Sequence, residues 1–461
     1  MTGGRVWPRA AGLIVIGLAA VAPSATAQQD TTGNATVQER LETLDQKVKV
    51  LERLREIAQD SLAAAAKTRV SAAAGIDGFS LKSADGNFAV RFRGYLQADG
   101  RFFPSDDAIP QTNGFLLRRA RPIFEATVYK YIDFRLMPDF GQGTTTLFDA
   151  YTEIRFHPAF ALRAGKFKPP VDIERLQSAT DMRFMERAFT TNLAPNRDVG
   201  LQLGGDLAGG TVNYAVGVFN GVPDLGNGDL DVGDAKDFAA RVFIQPFLKG
   251  SPSLRGLGIG VAATTGIERG TLAAPALAAY KTPGQVTFFK YRSDGTLAGT
   301  AYANGHRNRL LPQGYFNLGS LGFLGEYAIS EQDVTRAATT ARLKHTAWQV
   351  AGSYFLTGEK ASYKSVTPKQ PFDPKAGHWG AIELAARYSQ LSFDDATFPT
   401  FASPTSTPSD AKAWAVGFNW HLGRNVKVML DYEETRFTGG AAGGLNREKE
   451  HFVGTRVQTA F

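Results

Sequence analysis

The segment NFAVRFRGYLQADGRFF, Asn87–Phe103, decides the fold class. Phe88, Val90, Phe92, Leu96, Ala98 and Phe102 fall on one parity, and Arg91, Arg93, Tyr95, Gln97, Asp99 and Arg101 fall on the other. An extended chain turns successive side chains to opposite faces, so the segment reads as a long strand with one apolar wall and one charged wall. Strands of soluble domains run about 5–6 residues, whereas barrel strands that cross a bilayer need about 9–11. Length and alternation together predict a transmembrane barrel strand, with lipid against the phenylalanines and water against the arginines.

The same period of two recurs along the chain. YIDFRLM sets Ile132, Phe134 and Leu136 against Asp133 and Arg135, and FDAYTEIRF sets Phe148, Ala150, Ile154 and Phe156 against Asp149, Tyr151, Glu153 and Arg155. KAWAVGFNWHL alternates Trp414, Val416, Phe418, Trp420 and Leu422 with small and polar residues. Sixteen strands can be placed between 88 and 461, among them 309–318, 321–330, 342–357 and 379–391. Links from even to odd strands are mostly short, as at Lys130, His157-Pro158 and Gly319-Ser320, and the opposite set is mostly long, as at 169–197 and 267–308. That asymmetry of short turns and long loops is expected of outer-membrane barrels. The long 358–378 link falls on the short-turn side and breaks the rule. The last strand, HFVGTRVQTAF, ends the chain in Phe461, like the assembly signal of outer-membrane proteins. The expected fold is all-β: a 16-stranded antiparallel transmembrane β-barrel after a short N-terminal helical, coiled-coil-like segment.

Two segments precede the barrel. Arg5 and Arg9, the apolar run Ala10–Ala22 and the small-x-small site Ala25-Thr26-Ala27 have the order of a cleaved export signal, residues 1–27. Val37, Leu41, Leu44, Val48 and Leu51 then step by 4, 3, 4 and 3 among charged residues, an a/d stripe about two heptads long. Residues 28–75 are expected to form this amphipathic helix and a linker in the periplasm, with the barrel occupying 76–461.

Composition narrows the chemistry. The 461 residues include no cysteine, which removes disulfides, thiol nucleophiles and cysteine metal sites. The six histidines are isolated, with no HxH or HExxH spacing, and Gly256-Leu257-Gly258-Ile259-Gly260 lacks the spacing of a dinucleotide fingerprint. No cofactor, metal, nucleic-acid partner or enzymatic activity is expected.

Longer stretches carry a family resemblance. GFLLRRARPIFEATVYKYIDFRLMPDFG (Gly114–Gly141), LRAGKFKPP (Leu162–Pro170), ERLQSAT (Glu174–Thr180), PNRDVGLQL (Pro195–Leu203), GVFNGVPD (Gly217–Asp224), AWQVAGSYFLTGE (Ala347–Glu359), GAIELAARYS (Gly380–Ser389) and FNWHLGRNVKVMLDYEETRF (Phe418–Phe437) are similar, in this order, to the phosphate-selective porin O/P family. The resemblance implies a 16-stranded barrel, usually a homotrimer, in the bacterial outer membrane, passing small anions such as phosphate or polyphosphate by an arginine ladder and a lysine cluster.

Strand parity independently supplies an anion path. Arg91, Arg93, Arg101, Arg119, Arg121, Arg135, Arg155, Arg241 and Arg456 are expected to face the lumen. Guanidinium stays charged and presents a planar fork to two phosphate oxygens, and basic rings in a narrow pore raise the local anion concentration. Lys166, Lys168, Arg175, Arg183 and Arg187 would narrow the pore if the third long loop folds inward. A competing reading pairs these cations with Asp99, Glu125, Asp133, Asp139, Asp149, Glu153 and Glu383, giving a general or sugar porin. A third makes the chain a structural outer-membrane protein whose helix contacts the envelope.

Overall fold

The computed structural model of the chain describes residues 37–104, 111–231 and 233–461. The expected export signal lies outside the described residues. The chain divides into an N-terminal unit ending at Ala66 and a second unit from Lys67 to Phe461. The first carries all but the last two residues of helix α1, Val37–Thr68, with Lys49–Asp45 (2.6 Å) and Arg53–Glu56 (2.8 Å) ion pairs along its surface. Leu41, Leu44, Val48, Leu51, Leu54, Ile57 and Leu62 are between 49% and 71% exposed among the described residues.

The second unit opens with a hairpin, β1 (Ser71–Gly75) and β2 (Gly78–Lys82). Strands β3 (Phe88–Phe102), β4 (Gly114–Val128), β5 (Ile132–Asp139), β6 (Thr146–His157), β7 (Phe160–Phe167), β8 (Asp198–Leu207), β9 (Val212–Phe219), β10 (Asp237–Ile244) and β11 (Leu257–Arg269) follow. A small loop ribbon, β12 (Tyr280–Lys281) and β13 (Thr287–Phe289), precedes β14 (Tyr302–Leu318), β15 (Leu321–Arg336), β16 (Thr339–Phe355), β17 (Ala381–Ser392), β18 (Pro408–His421), β19 (Val426–Gly439) and β20 (Glu450–Ala460). Leaving aside the two hairpins, sixteen strands pair antiparallel with their neighbours, and β20 returns to β3 in the register Gly454↔Arg101 to Ala460↔Tyr95. The barrel is closed. Closure removes the sheet edges that would otherwise leave backbone groups unpaired in lipid.

The seam is reinforced at the short-turn end. Gly94 and Phe461 exchange backbone hydrogen bonds of 3.1 and 3.0 Å, and the Phe461 ring lies 5.9 Å from Phe79 of the hairpin and 5.5 Å from Phe92. Alternation holds around the wall: Trp414, Val416 and Phe418 are exposed outward, whereas Ala413, Ala415 and Asn419 are buried inward.

Two departures from the expected boundaries have physical reasons. Strands β15 and β16 run on past 330 and begin before 342, meeting at Ala337-Ala338. Their outer ends carry Glu331, Asp333, Arg342 and Lys344, joined as Arg342–Asp333 (2.7 Å) and Lys344–Glu331 (3.7 Å). The outward face meets water instead of lipid there, while the inward Val334 and Leu343 are buried against Ala301 and Phe401, so the expected apolar outer face is missing. The long 356–380 link contains no further strand; it folds into the barrel, where Tyr363 stacks on Tyr315 at 5.1 Å and its hydroxyl donates to Ile173 O at 2.5 Å.

The third long loop, 168–197 (L3), fills much of the interior. Each of eight consecutive strands lends it an inward polar side chain, Gln313, Glu326, Gln349, Arg387, Asn419, Lys427, Arg456 and Gln97 among them, at 2.6–3.1 Å. Above it the loop 270–301 (L5) inserts Tyr280, Phe288 and Phe289, which pack with Phe189, Leu193, Phe393 and Phe437 into a dry cluster. L3 enters the lumen just after Gly165, which sits at φ +124°, and a Cβ there would lie 2.3 Å from Ala150 O and 2.8 Å from Tyr151 Cα. Gly165→Ala should therefore destabilise the barrel by about 1–3 kcal/mol, through left-handed strain and overpacking. The urea midpoint of the gel-mobility shift between folded and unfolded barrel measures it, and an unchanged midpoint would contradict this packing.

Candidate functional site: a basic eyelet beside L3

The site is built where β3, β4 and β20 face the middle of L3. In β4, Arg119 pairs with Gln97 and Leu117 with Ala98, so Arg118 is an extra, bulged residue. A bulge re-aims side chains, and here it turns two successive arginines into the lumen. Glu186 of L3 receives both, Arg118 at 2.6 Å and Arg119 at 3.3 Å, together with Arg101 at 2.8 Å and Arg456 at 3.2 Å. Asp99 accepts further bonds from Arg456 (2.6 and 2.8 Å) and Arg101 (3.0 Å). Four guanidiniums therefore share two carboxylates. Burial alone would push the Glu186 carboxyl up, but the guanidiniums of Arg118, Arg119, Arg101 and Arg456 override it and hold it well below the usual carboxylate range.

Beside this cluster an open cavity of 460 Å³ separates L3 from the β3–β6 wall. Arg118, Arg119, Arg121, Lys168, Arg175, Arg187, Arg197 and Lys281 line it, against only Asp149 and Glu186. Phe148 lies between two guanidiniums, Arg121 at 3.9 Å and Arg197 at 4.9 Å from its ring centre. Arg121 is fixed by Asp139 (2.7 Å) and the Tyr95 hydroxyl (2.7 Å), and Arg197 by Asp149 (3.0 Å). Lys168 donates to Leu176 O and Gln177 O, Arg187 to Glu174 O and Gln177 O, and Arg175 to Thr191 O. These hydrogen bonds go to carbonyls rather than carboxylates, although the Asp172 and Glu174 carboxylates of the same loop lie near Arg175 and Arg187. Burial, then the charges of Arg197 and Arg187, push the Lys168 ammonium well below the usual lysine range.

The other arginines expected in the lumen sit elsewhere. Arg93 and Arg135 share Glu125, at 2.7 and 2.9 Å, and Arg135 also reaches Asp149 at 3.2 Å. Arg155 pairs with Asp133 and is half-exposed at the short-turn end, where Arg91 is exposed too. Arg241 bonds Gln313 (3.0 Å) and stacks on Phe243, away from the cavity. Of the loop residues, Lys166 pairs with Asp229, and Arg183 turns to Glu383 at 3.6 Å, across L3 from the cavity. All seven carboxylates of the competing reading carry a basic partner. The wall is largely neutralised and the surplus is local to the eyelet. Arg118, Arg197 and Glu186 escaped the sequence reading, because a bulge breaks parity and an irregular loop has none.

A closed barrel with short turns at one end, long loops at the other and an inward third loop beside a charged eyelet is a porin. Residues 88–461 match the family model of phosphate-selective porin O and P, and the chain belongs to that family. It is accordingly an outer-membrane channel protein, and the family and the similar structures are channels rather than enzymes. Among solved structures, the chain is similar to the outer-membrane channel DcaP of Acinetobacter baumannii, with 12% identity, 83% of this chain and 99% of that one covered, and a TM-score of 0.52. It is likewise similar to an anion-selective porin from Comamonas acidovorans, with 11% identity, 81% and 100% covered, and a TM-score of 0.51. No curated protein matches the chain.

Because its folded-state pKa is depressed, Glu186 stabilises L3 fully above the ordinary carboxylate range and loses that contribution only as pH falls through the depressed value. Wild-type single channels should therefore keep one quiet conductance level from pH 7 down to about pH 4. Glu186→Gln should flicker already at pH 7, as four guanidiniums lose their shared counter-charge. Planar-bilayer recordings compare the two, and identical noise would show that the carboxylate does not hold the loop.

Proposed function

We propose that the eyelet passes small anions and favours phosphate among them. The observation that carries this is the imbalance at the cavity, eight cationic side chains against two carboxylates. One fixed charge 4 Å from an anion is worth about 1 kcal/mol in bulk water and about 4 kcal/mol at an effective dielectric near 20. Four of the eight, Arg118, Arg119, Arg121 and Arg197, are ion-paired, and the surplus of cations over carboxylates that remains favours anions over cations. Adjacent guanidiniums at Arg118 and Arg119 also present the forked donors that suit a tetrahedral oxyanion. Several moderate sites in series, from Lys281 through Arg121 to Arg175, would let an ion leave as readily as it enters.

The expected reversal potential in a KCl gradient is that of an anion-selective channel, and millimolar phosphate should block part of the chloride current. Arg118→Gln with Arg119→Gln should lower the anion-to-cation permeability ratio several-fold and raise the half-blocking phosphate concentration at least tenfold. The pairing of all seven wall carboxylates favours the alternative of a weakly selective general porin; a near-zero reversal potential with no phosphate block would establish it instead.

The exposed stripe of α1 supports a second part of the proposal, that residues 28–75 lie in the periplasm and associate the chain as a homotrimer. Leu41, Leu44, Val48 and Leu51 repeat at a/d spacing and are exposed among the described residues. Leu44→Glu with Leu51→Glu should lower the temperature at which detergent-solubilised oligomers dissociate, read by light scattering after chromatography. An unchanged dissociation temperature would leave the stripe to an envelope partner.

A further inference from the structure

The outer wall of the barrel changes character around its circumference. On β16–β19 the outward positions carry Trp348, Tyr388, Trp414 and Tyr432, with ring centres 5.3 Å apart in the pairs Trp348–Tyr388 and Trp414–Tyr432. Outward ion pairs stand just beyond them toward the long-loop end: Arg342–Asp333 at 2.7 Å, Lys344–Glu331 at 3.7 Å and Lys412–Asp410 at 3.6 Å. Polar-tipped aromatics bordered by a charged row mark the level where hydrocarbon gives way to headgroups. Every tryptophan after residue 27 lies between Trp348 and Trp420, in this sector.

The wall β5–β10 is built differently. Strands β5, β7, β9 and β10 are eight residues each, against 17, 16 and 17 for β14, β15 and β16. Tilted by about 45°, eight residues rise about 19 Å, short of the apolar band of about 25 Å that lipid sets. Among the described residues, the outward positions of these six strands carry no tryptophan. Their one tyrosine, Tyr214, spends its hydroxyl on Ala159 O at 2.8 Å at the short-turn end. Leu162, Leu201, Leu203, Val216, Val218 and Phe238 line an open apolar depression of 510 Å³ in this wall. Lys166 has the outward parity of Leu162 and Ala164, yet it is 3% exposed and pairs with Asp229 of the loop after β9. An outward lysine is disfavoured against lipid, and here protein covers it.

We propose that β5–β10 is the face on which this barrel packs against further copies of the chain, while β16–β19 faces the bilayer. The inference rests on the homotrimer reading and adds to it which wall makes the contact. A wall too low to match the hydrocarbon, and without interfacial tryptophan, is favoured where a second protein surface displaces the lipid. Six strands about 4.8 Å apart and about 26 Å long present about 750 Å², close to the roughly 800 Å² that a standard interface takes from each partner. An acyl chain would fill the depression and leave the missing height unmet; a second barrel supplies both. Identical copies offering the same wall close into a ring.

The chain has no cysteine, so Leu201→Cys and Val416→Cys each give a single attachment point for a bimane dye, the first in the depression and the second outward on β18. In proteoliposomes of lipid brominated along its acyl chains, the dye at position 201 should be quenched at least threefold less than the dye at position 416. Leu201→Glu with Val218→Glu should also lower the temperature at which detergent-solubilised oligomers of the full chain dissociate, and Val416→Glu with Leu430→Glu should leave it unchanged. Equal quenching at the two positions, the mark of an acyl chain in the depression, would overturn the proposal, as would equal dissociation temperatures in the two glutamate variants. Should those variants fail to fold, the quenching comparison decides alone. A monomeric parent in light scattering would end the homotrimer reading and this inference with it, whereas an oligomeric parent with equal quenching removes only the choice of wall.

Discussion

One carboxylate organises the interior. Glu186 takes four guanidiniums from three adjacent strands, Arg101 of β3, Arg118 and Arg119 of β4 and Arg456 of β20, and so ties the middle of L3 to the closing seam of the barrel. Buried like charges repel unless a counter-charge and hydrogen bonds satisfy them, so the cluster tolerates little displacement of the loop. The carbonyls around Glu186 add to the constraint: Met182 O accepts from Lys427, Arg183 O from Asn419 and Met185 O from Arg456. With L3 held against β14–β20, the open space left beside it is the eyelet on the β3–β6 side. The position of the loop and the position of the cavity are one fact.

The selectivity proposed for the eyelet rests on the local placement of charge rather than on the net charge of +7. Most wall arginines are spent on neighbours across the sheet, as Arg93 and Arg135 are on Glu125 and Arg121 is on Asp139. L3 changes the balance because its cations are held by carbonyl dipoles. Lys168, Arg175 and Arg187 bond Leu176, Gln177, Thr191 and Glu174 carbonyl oxygens, which orient the side chains without forming an ion pair. The irregular loop therefore supplies what the regular strands cannot, cations fixed in place and still available to an ion.

Legibility in the sequence divided along the same line. Period-two alternation in Phe88–Phe102 or Lys412–Leu422 was enough to place strands and to assign Arg101, Arg119, Arg121 and Arg456 to the lumen, because lipid on one face and water on the other leave an unambiguous record. Where the outward face meets water instead of lipid, as at Glu331–Arg342, the record vanishes and the strands look like loop. Arg118 was invisible because a single inserted residue reverses parity. Arg197 and Glu186 were invisible because no period governs L3, and the partner of Glu186 lies about 85 residues away in Arg101. Sequence spacing carries orientation along an element. It does not carry which elements meet.

The aromatic half of the lumen belongs to the same electrostatic argument. A 16-stranded barrel closed on side chains alone would leave a wide aqueous channel, and at physiological ionic strength fixed charges in it would be screened over about 8 Å. The cluster of Tyr280, Phe288, Phe289, Phe393 and Phe437, with the Phe289 and Phe393 rings stacked at 3.8 Å, displaces that water from one side of L3. The proposed path runs through the strip along the basic wall, bordered by a medium of low polarizability that concentrates the field there. The phenylalanines never approach the solute, yet they set how far the field of each arginine reaches, and so link the apolar content of L5 to the discrimination of the eyelet below it.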